Sequence, residues 1–329
     1  MKDPLVTVVV LNWNGDQHVH KCVEYVLAQK YHPIEIIVVD NASTDDSLLK
    51  LRGKHPNLRY ILNSQNTGFA AGMNEGISAA NGEFVIPLNQ DVCLHPDFVS
   101  QCVSRIQKED NLGVIGARVF SWIGDELTDC LRKGEGERTY WRKRFQGGGG
   151  GIRVDDNEAF VFYPNGSLPF FKKSMLDDLK TSTGEYYDED FVTGWEDADL
   201  SFRMHLRGWR CLFLPTAIGW HVGSGSVGGN ATLISKKIDY QIRVLRNRYF
   251  TMIKNLPFDI FMWLSPYLLI TELCLIPYFS IRSPKTIFAL FAAWYQTLMM
   301  LPTLLKKRKA IQNSITVPKG YLKEFFHSF

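Results

Sequence analysis

Short apolar runs alternate with helix-like segments over the first third of the chain. Three of these runs are apolar at nearly every position, which is typical of parallel strands covered on both faces. The pattern predicts strands at residues 6–11, 34–39, 58–62 and 84–91, and helices at residues 19–29 and from the turn at 66–72 to about residue 80. This alternation predicts an α/β fold, a doubly wound, Rossmann-like domain with a mostly parallel sheet.

The pattern changes at residues 131–156. A charged segment is followed there by five consecutive glycines at residues 147–151. So many glycines would lose too much backbone entropy on joining a packed element, so we predict a flexible loop. A lid that closes over a substrate and a simple flexible insertion fit this pattern equally well. Strand and helix signals resume at residues 160–163, 173–179 and 209–214.

The last third of the chain is much more apolar. Residues 258–281 and 286–305 form two long apolar segments. The second is long enough to span a bilayer, whereas Glu272 in the first would be costly in lipid. We favour interfacial or re-entrant helices, and a two-span hairpin or helices folded onto a soluble domain are the alternatives.

Basic residues flank the two apolar segments. This arrangement favours the cytoplasmic face of an anionic membrane. We therefore divide the chain into a domain at residues 1–235 and a basic, apolar, membrane-associating helical region at residues 236–329. The basic cluster before the first apolar segment comprises Lys236, Lys237, Arg243, Arg246, Arg248 and Lys254.

The composition excludes several classes of protein. A formal net charge of +3 over 329 residues argues against a nucleic-acid partner. The six cysteines lack the paired spacing of a zinc site or a redox dithiol, so we expect reduced thiols in a cytosolic setting. The first apolar run is too short for a signal peptide, so we expect no export.

Two carboxylates stand at the ends of predicted strands. Asp40 follows the second strand, and Asp91 ends the apolar run that starts at residue 84. Ligands bind at the carboxyl edge of an open α/β sheet. We expect one aspartate to contact a nucleoside and the other to hold a metal-bound diphosphate, which predicts an enzyme that uses a sugar nucleotide.

A third acidic cluster opens an amphipathic helix. Glu196, Asp197 and Asp199 could simply offset the helix dipole, and this explanation is favoured for the cluster taken alone. Downstream, His221 lies in a glycine-rich segment, residues 219–226, which we predict to be a mobile loop. A lone histidine is more often structural than a ligand, but its place after the acidic cluster favours a functional role.

Several of these motifs together resemble a known family. Taken in order, they are similar to those of the inverting family 2 glycosyltransferases, which have the GT-A fold. The resemblance covers about the first 230 residues, and it extends to bacterial rhamnosyltransferase-like members that build cell-surface glycans. The residues that carry it are 38–45, 66–74, 88–91, 195–203, the pair Trp220 and His221, and the tail stretches 246–250 and 307–312.

The resemblance implies the ligand contacts. Asp91 occupies the last position of the family's DxD-like motif and would bind Mg²⁺ or Mn²⁺ together with His221. The first acidic position of that motif is Asn89 here, so the motif supplies one carboxylate, which Mg²⁺ tolerates because it keeps several waters. The residues implied for the nucleotide are Asn12, Asn14, Asp40, Asn41, Asp45, Asn66, Gly68, Phe69, Asn74 and Asn89.

The resemblance also implies the chemistry. Asp197 matches the general base that takes the proton of the acceptor hydroxyl, and Glu196 would orient it or hold acceptor hydroxyls. The metal would stabilise the leaving nucleoside diphosphate. Direct displacement would invert the anomeric carbon, and the loop at 131–156 would exclude water if it closes.

These expectations define a predicted function. The chain would transfer a sugar from a dTDP- or UDP-sugar, with dTDP-rhamnose implied by the resemblance, to a lipid-linked saccharide, a polyprenyl diphosphate, at the cytoplasmic face of the inner membrane. The basic cluster would face lipid phosphates and the acceptor diphosphate.

Two other functions remain open. A sugar nucleotidyltransferase would need a glycine-rich phosphate loop with a basic residue, and residues 12–16 contain none. A non-catalytic, membrane-bound scaffold that binds nucleotide sugars is suggested by the asparagine at position 89, and it would bind the donor without turnover.

Overall fold

The structure is a computed structural model that describes residues 3–131, 137–140, 143–146, 157–164, 166–223 and 233–328. Its helices are α1 Val19–Leu27, α2 Ser47–Lys54, α3 Gly68–Ala79, α4 Phe98–Ile106, α5 Lys173–Asp178, α6 Glu196–Leu206, α7 Ile238–Asn255, α8 Phe258–Arg282 and α9 Pro284–Asn313. Its strands are β1 Val6–Asn12, β2 Ile34–Asp40, β3 Arg59–Leu62, β4 Phe84–Asn89, β5 Val92–Leu94, β6 Leu112–Ile123, β7 Glu126–Leu131, β8 Glu137–Tyr140, β9 Lys143–Gln146, β10 Ala159–Val161, β11 Pro169–Lys172, β12 Arg210–His221 and β13 Phe326–Ser328.

One large sheet organises the first 221 residues. Its strand order is β10-β12-β6-β11-β4-β1-β2-β3, with β5 and β7 paired to β12 and β6. Strands β3, β2, β1, β4, β6 and β12 run in one direction, whereas β11 and β10 run antiparallel to their neighbours. This confirms the predicted α/β class and the mostly parallel sheet.

Strand β1 shows why the sheet needs helices on both faces. Val8 and Val10 point into a core formed with α1 and α4. Val9 and Leu11 point into a second core formed with α3, α5 and α6. An apolar side chain at every position therefore places β1 at the centre of a doubly wound sheet.

Strand β12 is longer than predicted and corrects the expected loop at residues 219–226. It crosses an irregularity between Leu214 and Ile218 and continues to His221, paired with β5 on one side and β6 on the other. A Cβ on Gly219 would lie 2.9 Å from the carbonyl oxygen of Cys93, so glycine permits the close strand approach there. His221 thus ends a strand, while residues 224–226 lie outside the described residues.

Part of the predicted loop at 131–156 contains strands. Strands β8 and β9 form an antiparallel hairpin, and β13 adds to its edge. The five glycines at 147–151 lie outside the described residues, so the lid and the flexible insertion stay predictions.

The three C-terminal helices pack on the α/β domain and on one another. Apolar residues of α7, α8 and α9 share one core with Phe202 and Leu206 of α6. A second cluster joins Leu245 of α7 to Leu290 and Ala293 of α9. Both α8 and α9 are long and apolar enough to cross a membrane by length and composition, and they leave most of their apolar surface uncovered.

Candidate active site

Asp40 lies at the carboxyl end of β2 in a network of donors. Its Oδ1 accepts hydrogen bonds from Asn12 Nδ2 at 2.8 Å and Ser43 Oγ at 2.7 Å, and its Oδ2 accepts from the backbone N–H of Ser43 at 3.0 Å. A carboxylate offers about four acceptor positions, so one remains for a ligand. Asn12 is fully buried, and its geometry supports positioning of Asp40 rather than contact with a nucleotide.

The loops after β1 and β2 bind each other. Asn14 donates its backbone N–H to Ser43 Oγ at 3.0 Å, and its Oδ1 accepts the backbone N–H of Thr44 at 2.7 Å. Asp45 accepts the backbone N–H of Asp16 at 3.0 Å and the hydroxyl of Ser47. Partial burial raises the pKa of Asp45, but these hydrogen bonds outweigh burial and the net pKa is lowered.

Asn41 joins the end of β2 to the start of α3. Its Nδ2 donates to Asn66 Oδ1 at 3.0 Å and to the carbonyl oxygen of Gly68 at 3.1 Å, and its Oδ1 accepts the backbone N–H of Thr67 at 3.0 Å. Asn66 remains exposed, and Phe69 is half-buried against Tyr187. The sequence motif 66–74 therefore begins beside the carboxyl end of β2, where Asp40 lies.

Asn74 departs from the role implied by the resemblance. It is buried, donates Nδ2 to the carbonyl oxygen of Tyr187 at 2.7 Å, and accepts the backbone N–H of Tyr187 at 2.8 Å. Its side chain fastens α3 to the segment that leads to α6. This geometry supports a positioning role and not nucleotide contact.

Asp91 and His221 meet at the edge of the sheet. Asp91 lies in the turn between β4 and β5, and its Oδ2 is 3.3 Å from Nε2 of His221 at the end of β12. Burial raises the pKa of Asp91, but the charge of His221 and the hydrogen bond from it outweigh burial, so the pKa is lowered. Asn89 ends β4 just before this pair.

The pair fits a divalent cation in donor chemistry. Mn²⁺ accepts a carboxylate and an imidazole when waters and phosphate oxygens complete the shell, whereas Mg²⁺ takes mainly oxygen ligands and would rely on the carboxylate. Among the described residues, no group of three or more His, Cys, Asp or Glu side chains could hold a metal. The protein would therefore supply two ligands, and affinity would depend on the nucleotide.

Glu196 and Asp197 are half-buried at the first turn of α6. The pair follows a backbone in which Val192, Gly194 and Trp195 have φ angles of 62°, 83° and 73°. A Cβ on Gly166 would lie 2.8 Å from Oδ2 of Asp197, so only glycine leaves the carboxylate in place. Asp199, the third acid, is buried and pairs with Arg203, so its role is structural.

Two contributors to the site were not predicted from the sequence. Gln90 accepts the backbone N–H of Trp13 at 2.6 Å and donates to its carbonyl oxygen at 3.1 Å, which fixes the β1 loop against the turn that carries Asp91. Ser43 supplies two of the donors to Asp40. Gln90 lies between the two predicted site residues of its motif, which was the available signal.

Comparison with known proteins identifies a family model. Residues 7–162 match the model of "Glycosyl transferase family 2". An uncharacterized glycosyltransferase of Haemophilus influenzae is 27% identical over 117 residues, which cover 35% of this chain and 36% of that protein. The poly-beta-1,6-N-acetyl-D-glucosamine synthase of Staphylococcus aureus is 24% identical over 239 residues, covering 68% of this chain and 51% of that protein. The chain thus spans about a third and about half of the length of these two relatives.

Solved structures share the fold. S. aureus TarS 1-349 superposes with a TM-score of 0.56 at 16% identity, covering 97% of this chain and 91% of that one. The mannosyltransferase PcManGT of Pyrobaculum calidifontis, solved with GDP-Man and Mn²⁺, gives 0.53 at 19% identity over 90% of this chain and 88% of that one. GalNAc-T7, solved with UDP, GalNAc and Mn²⁺, gives 0.56 at 15% identity over 76% of this chain and 48% of that one. The α/β domain therefore has the GT-A fold.

Proposed function

We propose that this chain is a family 2 glycosyltransferase that moves a sugar from a nucleotide-sugar donor to an acceptor hydroxyl with inversion. The observation that carries the proposal is the carboxyl edge of the sheet. Asp40 lies there at the end of β2, and the Asp91–His221 pair lies after β4 and at the end of β12. Such an edge is the usual ligand site of an open α/β sheet. The α6 carboxylates add a base.

Asp40 and the Asn41 network would bind the nucleoside. Their hydrogen bonds are already formed, so binding requires little reordering of these side chains. Asp91 and His221 would hold a divalent cation, which when bound neutralises charge on the diphosphate leaving group. We propose Mg²⁺ or Mn²⁺: the carboxylate of Asp91 suits either ion, and the imidazole nitrogen of His221 suits Mn²⁺ better.

Asp197 would act as the base. The acceptor oxygen forms a bond to the anomeric carbon as the bond from that carbon to the phosphate oxygen breaks, and the leaving diphosphate takes the electron pair. The proton of the hydroxyl passes to the carboxylate of Asp197, and Glu196 beside it contacts acceptor hydroxyls. A single displacement on the face opposite the leaving group gives inversion.

The donor is proposed from the resemblance of the motifs to rhamnosyltransferase-like enzymes. We propose dTDP-rhamnose, with a UDP-sugar as the second candidate. GalNAc-T7 was solved with UDP and PcManGT with GDP-Man, so a donor panel must include dTDP-, UDP- and GDP-sugars.

The acceptor is proposed to be a saccharide linked to a polyprenyl diphosphate. The basic cluster before α8 is smaller than the sequence suggested, because Lys254 is buried against Asp188 and Asp199, and Arg248 pairs with Glu272. Arg243 remains half-buried one helical turn before Asn247. We propose Arg243 as the contact to the acceptor diphosphate.

The protein is proposed to lie on the cytoplasmic face of a membrane. Exposed apolar side chains cover α8 and α9, among them Leu269, Leu273, Phe288 and Leu298. Arg282, Lys285, Lys306 and Lys309 are exposed around them and would contact anionic lipids. Glu272 faces inward, where it binds Arg248 and Tyr249. Its carboxylate therefore does not have to enter the lipid.

The packing of α7 favours helices that lie in the membrane interface. Arg246 of α7 contacts Gln296 of α9, and the hydroxyl of Tyr249 accepts from Trp294. If α9 crossed a bilayer, the charged residues of α7 beside it would enter hydrocarbon, which is costly. An in-plane position buries the apolar faces of α8 and α9 and leaves α7 in water.

The alternatives are not favoured. The nucleotidyltransferase would need a basic phosphate loop after β1, and the loop there carries Trp13, Asn14 and Asp16. The scaffold would bind a donor without turnover.

The test is nucleoside diphosphate release by the detergent-solubilised protein. A panel of dTDP-, UDP- and GDP-sugars is assayed with Mg²⁺ or Mn²⁺, with and without a polyprenyl-diphosphate-linked saccharide. Acceptor-dependent release from one donor supports the proposal, and NMR of the product anomeric proton tests inversion. Tight donor binding without release across the panel would favour the scaffold.

A further inference from the structure

The residues before the α6 carboxylates form a strained bridge, which we call the 188–195 segment. It contains a short 3₁₀ helix, Glu189–Phe191, and then the backbone turns through Val192 with φ 62° and ψ −60°. Trp195 is also left-handed, with φ 73°. β-branched and bulky residues adopt such angles only when surrounding contacts hold them. Contacts from outside the segment must therefore stabilise this backbone conformation.

The segment contacts both halves of the proposed site. The carbonyl oxygen of Val192 accepts the backbone N–H of Ala70 at 3.1 Å, at the first turn of α3. A Cβ on Gly68 would lie 2.6 Å from Cγ1 of Val192, so the segment lies directly against the start of α3, which we propose contacts the nucleotide. At its other end, Trp195 immediately precedes Glu196 and Asp197. A shift of the segment would move the base relative to the donor.

One side chain of α7 binds the strained turn at three points. Asn247 is fully buried, and its Nδ2 donates to the carbonyl oxygens of Phe191 at 2.8 Å, Thr193 at 3.1 Å and Gly194 at 2.7 Å. These three carbonyls bracket the strained turn.

The amide of Asn247 is itself oriented. Its Oδ1 accepts hydrogen bonds from Nε of Arg246 at 3.1 Å and from Nη2 of Arg246 at 2.9 Å. The same Nη2 donates to the carbonyl oxygen of Asp190 at 2.8 Å. Because a guanidinium only donates, it fixes Oδ1 toward itself and aims Nδ2 at the segment.

We infer that Asn247 is a positioning residue for the reaction: it holds the 188–195 segment so that Asp197 faces the donor bound beside Gly68. The inference rests on the proposed function for its catalytic part. Helix α7 packs along α9, so the packing of the C-terminal helices can affect the position of the catalytic carboxylate through this amide. A lipid surface that orders α8 and α9 would then also order the base.

The first test is kinetic and uses Asn247→Asp, which keeps the size of the side chain but presents a carboxylate to three carbonyl oxygens. We expect kcat for transfer to fall about 10- to 100-fold, because small displacements of a catalytic group cost this much, while KM for the donor changes less than about threefold. Asn313→Asp, at the exposed end of α9, is the matched control and should keep wild-type values.

A fall in kcat together with an equal loss of donor binding would overturn the inference, since Asn247 would then support the whole fold. An unchanged kcat would overturn it as well. If Asn247→Asp does not fold, Arg246→Gln decides, because it loosens the amide without placing a charge in the segment. We expect a smaller fall in kcat with the same unchanged KM.

The second test does not depend on transfer. Hydrogen–deuterium exchange of Asn247→Ser should show faster exchange of backbone amides in residues 188–197 and at Ala70, with wild-type protection in β1 and β2. Wild-type protection of the segment in the variant would show that Asn247 does not stabilise it and would overturn the inference. If the wild-type protein lacks transfer activity while exchange rises as expected, the proposed function fails and the hold by Asn247 stands.

Discussion

Nζ of Lys307 on α9 donates a hydrogen bond to Oδ1 of Asp188 at 2.6 Å, and both side chains are buried. The other carboxylate oxygen of Asp188 accepts from Lys254 of α7, and Lys307 also donates to Asp190 at 2.6 Å. Two lysines that are distant in sequence thus converge on the start of the 188–195 segment. This buried network fastens α7 and α9 to the domain that carries the site.

Asp188→Asn should destabilise the protein. Removing one partner of a buried ion pair leaves an uncompensated charge, which costs about 3–5 kcal/mol in the free energy of unfolding. Urea unfolding at pH 7, followed by tryptophan fluorescence, measures the loss. Asp110→Asn, on an exposed loop, is the control and should change the free energy by less than about 0.5 kcal/mol. Equal stability of the two variants would contradict the network's role.

The carboxylate of Asp188 also predicts that the protein loses stability in acid. Burial raises the pKa of Asp188, but Lys254 and Lys307 outweigh burial and hold the pKa well below its ordinary value. A carboxyl with a lowered folded pKa stabilises the protein fully above its unfolded pKa, about 4, and this stability is lost as the pH falls below it. Thermal melts of the wild type between pH 5 and pH 3 should fall more steeply than those of Asp188→Asn.

His205 predicts a second pH dependence at milder acidity. Burial lowers its pKa to about 4, and its Nε2 lies 2.7 Å from the carbonyl oxygen of Phe162. The unfolded chain binds the proton first, near pH 6.5, so stability is lost as the pH falls from 6.5 toward 4 by up to about 3 kcal/mol. His205→Gln should flatten this part of the melting curve. An unchanged slope in the variant would assign the effect to another group.

Asp197→Asn should abolish transfer and keep the donor bound. Loss of a general base costs about 10²–10⁴-fold in kcat, while the donor contacts lie at other residues. Isothermal titration with the nucleoside diphosphate, alongside the transfer assay, separates the two effects. Loss of affinity in step with activity would make Asp197 a binding residue and not the base.

Asp91→Asn and His221→Gln should raise the metal concentration that transfer requires. Each removes one of two protein ligands, and we expect about 10- to 100-fold weaker apparent Mn²⁺ affinity. Activity is titrated with Mn²⁺ at a fixed saturating donor concentration. A variant that loses activity at every Mn²⁺ concentration while its apparent metal affinity is unchanged would argue against ligation.

Leu269→Glu and Leu273→Glu should release the protein from membranes. Both leucines are exposed on α8, at 61% and 59%, and burying each in lipid contributes about 1.5–3 kcal/mol. Co-flotation with vesicles of an anionic and a zwitterionic lipid measures binding. Leu49→Glu, on α2, replaces a leucine that is 74% exposed far from the C-terminal helices and serves as the control. Equal flotation of all three variants would show that the protein does not bind membranes through this surface of α8.

Local patterns predicted the parts of the fold that rest on local rules. The continuous apolar run of β1 requires cover on both faces of the sheet, and that is what α1 and α3 supply. The carboxyl ends of β1 and β2 bring Asn12 opposite Asp40, as parallel pairing requires. The sequence could therefore place the edge of the sheet and its aspartates.

Long-range side-chain pairing could not be predicted in the same way. Lys254 belongs to a basic run and was expected at a surface, yet two carboxylates from other elements draw it inside. Asn74 lies in a nucleotide-like motif but pairs with Tyr187 across 113 residues. His221 was expected in a loop because glycines flank it, whereas pairing with β5 and β6 extends the strand through it. Each outcome depends on a partner that no local pattern names.

The contacts between the C-terminal helices and the domain bear on how the protein should be produced. Cutting the chain after α7 would remove Lys307 from Asp188 and expose apolar residues that share a core with α8 and α9, including Phe202 and Phe250. A shortened protein would therefore expose new apolar surface, although the purpose of shortening it is to reduce exposed apolar surface. Replacing the outward-facing residues of α8 and α9 with polar ones keeps the inward contacts, so polar variants that retain all three C-terminal helices are the better route to a sample for crystallisation.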